Sequence, residues 1–212
     1  FNALLLAMQK DYHLVNTIVS SEYLNINDEK ISKSKGNGVP AIELVEKYGV
    51  DPLRFHLINN GPEKKDSNFT IESLIATNNG ELSNKLGNLV NRTLKFKELE
   101  EVPNGKLDEK IKNKIEETYK KIGENIEKLE FKEASNIAME LVEIANKYYD
   151  DQKPWIQKKE NIDEFNNTIY TCSVIIANLS NIFEPFMPNA CEKIRKYLKI
   201  ENKSWNFIEP KV

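Results

Sequence analysis

Cysteine and histidine are scarce in this chain: its 212 residues include two of each. Cys172 and Cys191 fall in apolar, helical patterns, and His13 and His56 stand alone. None of them has the spacing of a metal-ligand cluster, so no metal is assigned to this stretch. A reduced, cytoplasmic setting is the expectation. No apolar run approaches the ~20 residues needed to cross a bilayer, so neither a span nor a membrane partner is expected. Phe1 opens an apolar stretch with no basic region and no cleavage site, unlike a secretory signal. An initiating methionine is missing as well, and the chain reads as a piece of a longer protein. Excess positive charge is also lacking: the formal net charge is -3. Without a global basic field, any contact with nucleic acid must be local. There is no internal repeat, no low-complexity tract and no G-x-x-x-x-G-K-S/T phosphate loop.

What is present is 40% hydrophobic and 30% charged residues, the balance of a soluble protein rich in surface helix. The first 29 residues read as the end of an α/β unit, with a strand near 17–26 and a turn at Asn27-Asp28. "VPAIELVEKYG" reads as a short helix ended by Gly49. "DPLRFHLI" starts another, with Asp51 as N-cap and Pro52 at the first helical position. The loop "NNGPEKKDSN" (59–68) is the best candidate for a domain boundary. Beyond it the pattern is almost wholly helical. One element runs from about Thr70 to Phe96, an amphipathic one from Leu107 to Leu129, another from Phe131 to Tyr148, then roughly 162–183 and 187–198, with Pro185 and Pro188 between the last two. The fold class expected is mainly α: an antiparallel helix bundle at 70–212, preceded by a small α/β part at 1–69.

Two stretches carry chemistry. In "KISKSKGN" (30–37), Lys30, Lys33 and Lys35 alternate with serines and run into Gly36 and Gly38. Ammonium groups, hydroxyls and glycine-exposed amides all donate hydrogen bonds to phosphate oxygens. A solvated basic turn is the plainer reading, and composition goes no further than a candidate phosphate site. In "NNGELSNKLGNLVNRTLKF" (78–96), projected at ~100° per residue, Leu82, Leu86, Leu89 and Phe96 share one face. Asn84, Asn88, Asn91, Arg92 and Lys95 share the other. Such a stripe is either solvated or a source of donors and acceptors for base edges; asparagine is a poor choice for a merely wet face. Trp155, after Pro154 at a helix junction, is by position alone more often a packing staple than a platform for an unpaired base.

"KISKSKGN" resembles the KMSKS signature of class I aminoacyl-tRNA synthetases, with Ile31 in place of the usual methionine. The lead-in "SSEYLNINDE" and the downstream "YGVDPLRFHL" resemble the family at matching offsets. The run Asn84 to Leu94 (Asn-x-x-Gly-Asn-x-x-Asn-Arg-Thr-Leu) and the later Pro154-Trp155 resemble the anticodon-binding domain of the bacterial-type methionyl branch. "GPEKKDSNFT" and "EVPNGKLDEKIK" resemble its connecting segments, so the resemblance covers essentially the whole chain. It implies that residues 1–69 are the end of a class I catalytic domain and 70–212 an anticodon-binding domain. It implies an ATP-dependent ligase joining methionine to tRNA(Met) through methionyl-adenylate. Lys33 would be the main catalytic cation and Lys30 its helper. Ile31, Ser32 and Ser34 would shape the ATP-phosphate loop, and Gly36 and Gly38 would be its hinges. Asn88, Arg92 and Trp155 would read the first anticodon base, a cytosine. ATP enters as substrate with Mg2+.

The family's His-x-Gly-His signature and its zinc-bearing knuckle are absent; both would lie upstream of Phe1, and zinc is expected only there. This polypeptide alone is therefore not expected to aminoacylate. Its partner by this resemblance is the tRNA(Met) anticodon stem-loop, bound modestly and salt-sensitively. Two alternatives share parts of this pattern: another class I synthetase, of the leucine, valine, isoleucine or cysteine type, and a helical protein-interaction module.

Overall fold

The computed structural model describes residues 2–8, 17–32, 34–96, 101–201 and 204–211. A short helix, α1 (Asn2–Ala7), precedes three short strands, β1 (Leu24–Ile26), β2 (Glu29–Lys30) and, later in the chain, β3 (Ser67–Phe69). Asn27 and Asp28 both hold positive φ, 50° and 62°, the two-residue hairpin geometry whose twist matches that of the strands it joins. β1 pairs antiparallel with β2 (Asn25 opposite Lys30) and parallel with β3 (Asn25 opposite Asn68), giving the order β2-β1-β3. The strand expected over 17–26 is regular only at its end, because β2 and β3 flank only residues 24–26. Just upstream, single bonds tie the chain down: Glu22 N–H donates to Pro62 O, and Tyr23 O accepts from Ser67 N–H.

Helix α2 (Ala41–Tyr48) ends at Gly49, whose φ of 88° is open to glycine at little cost. α3 (Val50–Asn60) follows at once. The boundary loop is shorter than expected, since α3 extends through Asn60 and β3 begins at Ser67. α4 (Ile71–Thr77) opens on a capping box in which Thr70 and Ser73 exchange side-chain-to-backbone bonds of 3.0 and 3.3 Å. The helix then widens into a π-helical stretch, Asn78–Gly87, before α5 (Asn88–Leu94). The single element expected over 70–96 is thus continuous but not uniform in pitch, and a projection at one angle blurs across it.

α6 (Glu109–Glu127) is capped by Asp108, and α7 (Phe131–Gln152) follows a turn in which Leu129 holds φ 64°. α8 (Pro154–Glu160), α9 (Ile162–Ile182) and α10 (Pro188–Tyr197) complete the bundle. From Thr168 onward α9 is buried all round, so it is the axis on which the other helices pack. Its polar Asn178 is satisfied inside: it donates to Val174 O and Ile208 O and accepts from Ile208 N–H and Tyr119 O–H, fixing the C-terminal tail. The observed architecture is the mainly helical one expected, with a small mixed sheet at the amino-terminal end.

Two cores meet at α3. Leu53 joins a small one with Ile26, Leu44, Phe69 and Leu74. Phe55, two residues on, belongs to the large one with Leu89, Ile115, Leu141, Ile175 and Phe183. Asp51 is not the N-cap of α3, because Gly49 takes the turn and Val50 is already helical. Its buried carboxylate instead accepts from the backbone N–H groups of Asn189 and Ala190 and from the Asn189 amide, at the start of α10. Arg54 donates to Pro185 O (2.8 Å) and Phe186 O (3.3 Å), in the turn just before α10. Acid meets the amide end of a helix, and guanidinium meets carbonyls. α3 is thereby clamped to the α9–α10 corner.

Candidate functional site

The surface around Trp155 begins with how the indole is presented. Lys153, in the left-handed conformation (φ 51°), ends α7, and Pro154 starts α8 with its ring buried. The next residue then points outward: Trp155 is 47% exposed. Its ring centroid lies 6.1 Å from that of Tyr149, tilted by 38°. Tyr149 in turn is covered by the Arg92 guanidinium, 4.2 Å from its ring centroid. Arg92 crosses from α5 to α7, where Nη1 pairs with Asp150 (2.7 Å) and Nη2 donates to the Asn146 carbonyl (2.9 Å) and side-chain oxygen (2.8 Å). The Tyr149 hydroxyl closes the circuit by donating to Arg92 O at 3.1 Å. Burial pushes the Tyr149 phenol up to about 12, against the opposing pull of Arg92, so it is a neutral donor at pH 7.

Asn88 lies one turn before Arg92 and is exposed, as are Asn84, Asn91 and Lys95. The structure therefore brings Arg92 and Trp155 together through Tyr149 and leaves Asn88 free to the solvent beside Arg92. Of the five guanidinium N–H groups, three are used by Asp150 and Asn146; one Nη1–H remains for a ligand, and Nε–H, though without a partner, is buried. An exposed indole, a fixed guanidinium and an unengaged amide form a set able to stack on a base and hydrogen-bond its edge. Tyr149, Asn146 and Asp150 were missed in the sequence. The signal available was only an arginine on a polar stripe, which needs an acidic or carbonyl partner when it packs.

The lysine loop is built on the β1–β2 hairpin. Lys30, at the end of β2, holds its ammonium 4.7 Å from the Tyr23 ring centroid. Lys35 lies 3.7 Å from the Glu29 carboxylate. Ile31 is exposed, Ser32 is half-buried, and the Ser32 and Ser34 hydroxyls are 2.9 Å apart. Gly36 has φ 63°, a conformation that favours glycine; Gly38 does not. Lys33, the central residue of the reading, lies outside the described residues, as does His13. His56 is a structural residue: its ring nitrogens face Thr77 (2.9 Å) and Ser73 (3.3 Å) of α4, and burial lowers its pKa. Among the described residues no group of three or more His, Cys, Asp or Glu side chains is placed to hold a metal. No helix among them is long and apolar enough to cross a membrane.

Residues 1–94 match the family described as class I tRNA synthetases (M), and residues 108–210 match the anticodon-binding domain of tRNA ligases. The chain belongs to the methionyl-tRNA synthetase family. It corresponds to the family's carboxy-terminal part, the end of the class I catalytic domain followed by the anticodon-binding domain. Methionine–tRNA ligase of Bacillus cereus (strain Q1) is 42% identical over 191 residues, which cover 89% of this chain and 35% of that protein. Methionine–tRNA ligase 1 of Alkaliphilus oremlandii is 38% identical, covering 89% and 36%. The chain thus spans about a third of the length of the curated relatives it matches. Among solved structures, Mycobacterium tuberculosis methionyl-tRNA synthetase in complex with methionyl-adenylate superposes with a TM-score of 0.81 at 25% identity, covering 89% of this chain and 40% of that one.

Proposed function

We propose that this chain forms the phosphate-loop and anticodon-reading part of a methionine–tRNA ligase, with residues 1–69 and 70–212 as its two functional halves. In the first step a methionine carboxylate oxygen attacks the α-phosphorus of ATP. A mixed anhydride forms, the α–β phosphoanhydride bond breaks, and pyrophosphate leaves. Negative charge accumulates on the phosphate oxygens, and Lys33 and Lys30 offset it, with Ile31, Ser32 and Ser34 shaping the loop that brings them there. The loop offers cations and hydroxyls, which suit phosphate oxygens; magnesium accompanies the ATP and is not held by these residues. In the second step a tRNA hydroxyl takes the methionyl group and AMP leaves. The bundle selects that tRNA: Trp155 stacks on the first anticodon base, and Asn88 and Arg92 bond its edge.

The observation that supports this reading most is the contiguous set Arg92, Tyr149 and Trp155, with Asn88 exposed one turn away, in a chain of this family. The stripe of asparagines alone would suit a wet helix; the fixed guanidinium beside an exposed indole gives it a geometry. The test uses the chain itself. Fluorescence anisotropy with an anticodon stem-loop bearing CAU, against one whose first anticodon base is changed, should show a preference of about tenfold or more. Affinity should fall as salt rises. Equal binding of the two stem-loops at low salt would refute the reading and favour an interaction module.

A further inference from the structure

Helix α7 does not cap itself. Glu130 stands in its N-cap position, yet the Glu130 carboxylate makes no bond to the first turn. It pairs with the Lys64 ammonium instead, at 2.8 Å. The capping bond comes from Glu63: its carboxylate accepts from Lys132 N–H, in the first turn of α7, at 2.9 Å. A carboxylate thus meets the amide end of the helix, and the next residue's ammonium meets the carboxylate left over. The bond to Glu130, with the charges of Glu63 and Glu133 nearby, holds the Lys64 ammonium above its ordinary pKa.

The same short segment is bonded on its other side to the stretch leading into β1. Pro62 O accepts from Glu22 N–H (2.9 Å), and the Asp66 carboxylate accepts from Tyr23 N–H (2.9 Å). Ser67 N–H donates to Tyr23 O (3.0 Å). Gly61 sets the path, since a Cβ there would run into Leu57 O. Residues 61–67 therefore tie the small sheet to the start of α7. The 22 residues of α7 span about 33 Å. At its far end Asn146, Tyr149 and Asp150 hold Arg92 beside Trp155. Asp51 and Arg54 already fix the start of α3. One attachment leaves a rotation free; a second, just past the other end of α3, removes it.

We infer that Glu63 and Lys64 are positioning residues for tRNA charging: with Glu130 and the start of α7 they fix the angle between the end of the catalytic domain and the anticodon-binding bundle. The consequence for charging rests on the ligase reading; the angle does not. Neither side chain touches a substrate. A tRNA held by the bundle must bring its hydroxyl to the adenylate, so an angle that wanders lowers the productive fraction of bound tRNA. Adenylate formation needs no tRNA and is left alone.

The angle is measured in the 212-residue chain. Spin labels on cysteines introduced at Glu46 of α2 and Lys120 of α6, both exposed, report it by double electron–electron resonance. Cys172 and Cys191 are buried and take no label. Lys64→Glu sets a third carboxylate beside Glu63 and Glu130 and should broaden the distance distribution. Adding Glu130→Lys restores the pair in reverse and should narrow it again. The Lys64 side chain is 74% exposed and that of Glu130 33%, so neither change buries a bare charge, and the melting temperature should hold. In a chimeric enzyme in which this chain replaces the matching segment of the Bacillus cereus ligase, Lys64→Glu should lower kcat/KM for tRNA charging about three- to tenfold, the scale of an exposed ion pair lost and made repulsive. Methionine-dependent ATP–pyrophosphate exchange should stay at the parent's rate, and the double variant should recover charging. A distribution as narrow in Lys64→Glu as in the parent overturns the inference. So does a charging loss matched by a loss of exchange or of melting temperature, or one that the double variant does not recover. If the parent chain binds the CAU stem-loop no better than its one-base variant, the ligase reading fails and the role in charging falls with it, whereas a width that answers to both substitutions still upholds the fixed angle.

Discussion

The lysine loop and the Trp155 surface present their functional groups by different means. In the loop, Lys30, Lys35, Ser34 and Gly36 are all exposed, and the segment is held by one asparagine, one aromatic face and one solvated ion pair. At the reader, Arg92 is fixed by three hydrogen bonds to α7, over a Tyr149 that is 4% exposed, with Pro154 buried beneath Trp155. Contacts of the first kind are individually small and break easily. Those of the second kind hold side chains near one geometry before any ligand arrives, so less ordering is needed on binding. The difference suits the two roles proposed above: a loop that follows a leaving group and a surface that compares one base with another. Between them lies α3, which gives Leu53 to one core and Phe55 to the other.

The largest effect on this arrangement is expected from Asp51→Ala. Two amides at the start of α10 and the Asn189 side chain would lose a buried charged acceptor, and Arg54 would keep its carbonyls but lose its partner in the clamp. The unfolding free energy should fall by about 2–3 kcal/mol in a urea titration, since hydrogen bonds to charged groups are the costly ones to lose. Asp51→Asn, which keeps an acceptor, should lose less. A change below ~0.5 kcal/mol in Asp51→Ala, the range of ordinary surface substitutions, would mean that the bundle does not carry α3.

Trp155→Ala comes next and addresses the other side of the comparison. If the indole is a platform and not a staple, its loss should weaken binding of the CAU stem-loop by ~1–3 kcal/mol, as stacking on an aromatic side chain does. Stability should change little, because the ring is nearly half in solvent. The opposite outcome, normal binding with a lowered melting temperature, would make Trp155 a staple and leave Arg92 and Asn88 without a stacking partner.

How far these features could be read beforehand depends on what they are made of. α6, α7 and α9 lie within a few residues of their expected limits because each carries a long apolar period that only a helix satisfies. Gly49 was read correctly for a related reason: a positive φ selects its residue. The π-helical stretch from Asn78 was not legible, since it changes the pitch without changing which residues are apolar. Asp51 was read as a cap and does cap a helix, but one 138 residues away; a capping residue advertises its chemistry and not its partner. The lysines and Trp155 were visible as types. The contacts of Asn37 and Asn146 were not, because each works on backbone groups, which every residue has.

The smallest effect sought is a pH dependence that separates the buried reader from the exposed loop. Burial raises the Tyr149 phenol to about 12 from an ordinary value near 10. In the unfolded chain the same phenol loses its proton near pH 10, while the folded chain keeps it. Tyr149 therefore contributes full stability below pH ~10 and loses that contribution as pH rises through 12. Tyr170, also raised to about 12 by burial, behaves alike, so the bundle as a whole should lose stability over this window. Tyr149→Phe should cost about 1 kcal/mol at pH 8 through the lost bond to Arg92 O. It should also make the fall in unfolding free energy between pH 10 and 11.5 shallower than in the parent, measured by urea titration at each pH. An equal slope in Tyr149→Phe and parent would mean that the phenol under Arg92 is reached by water, and the reader would then be no better fixed than the loop.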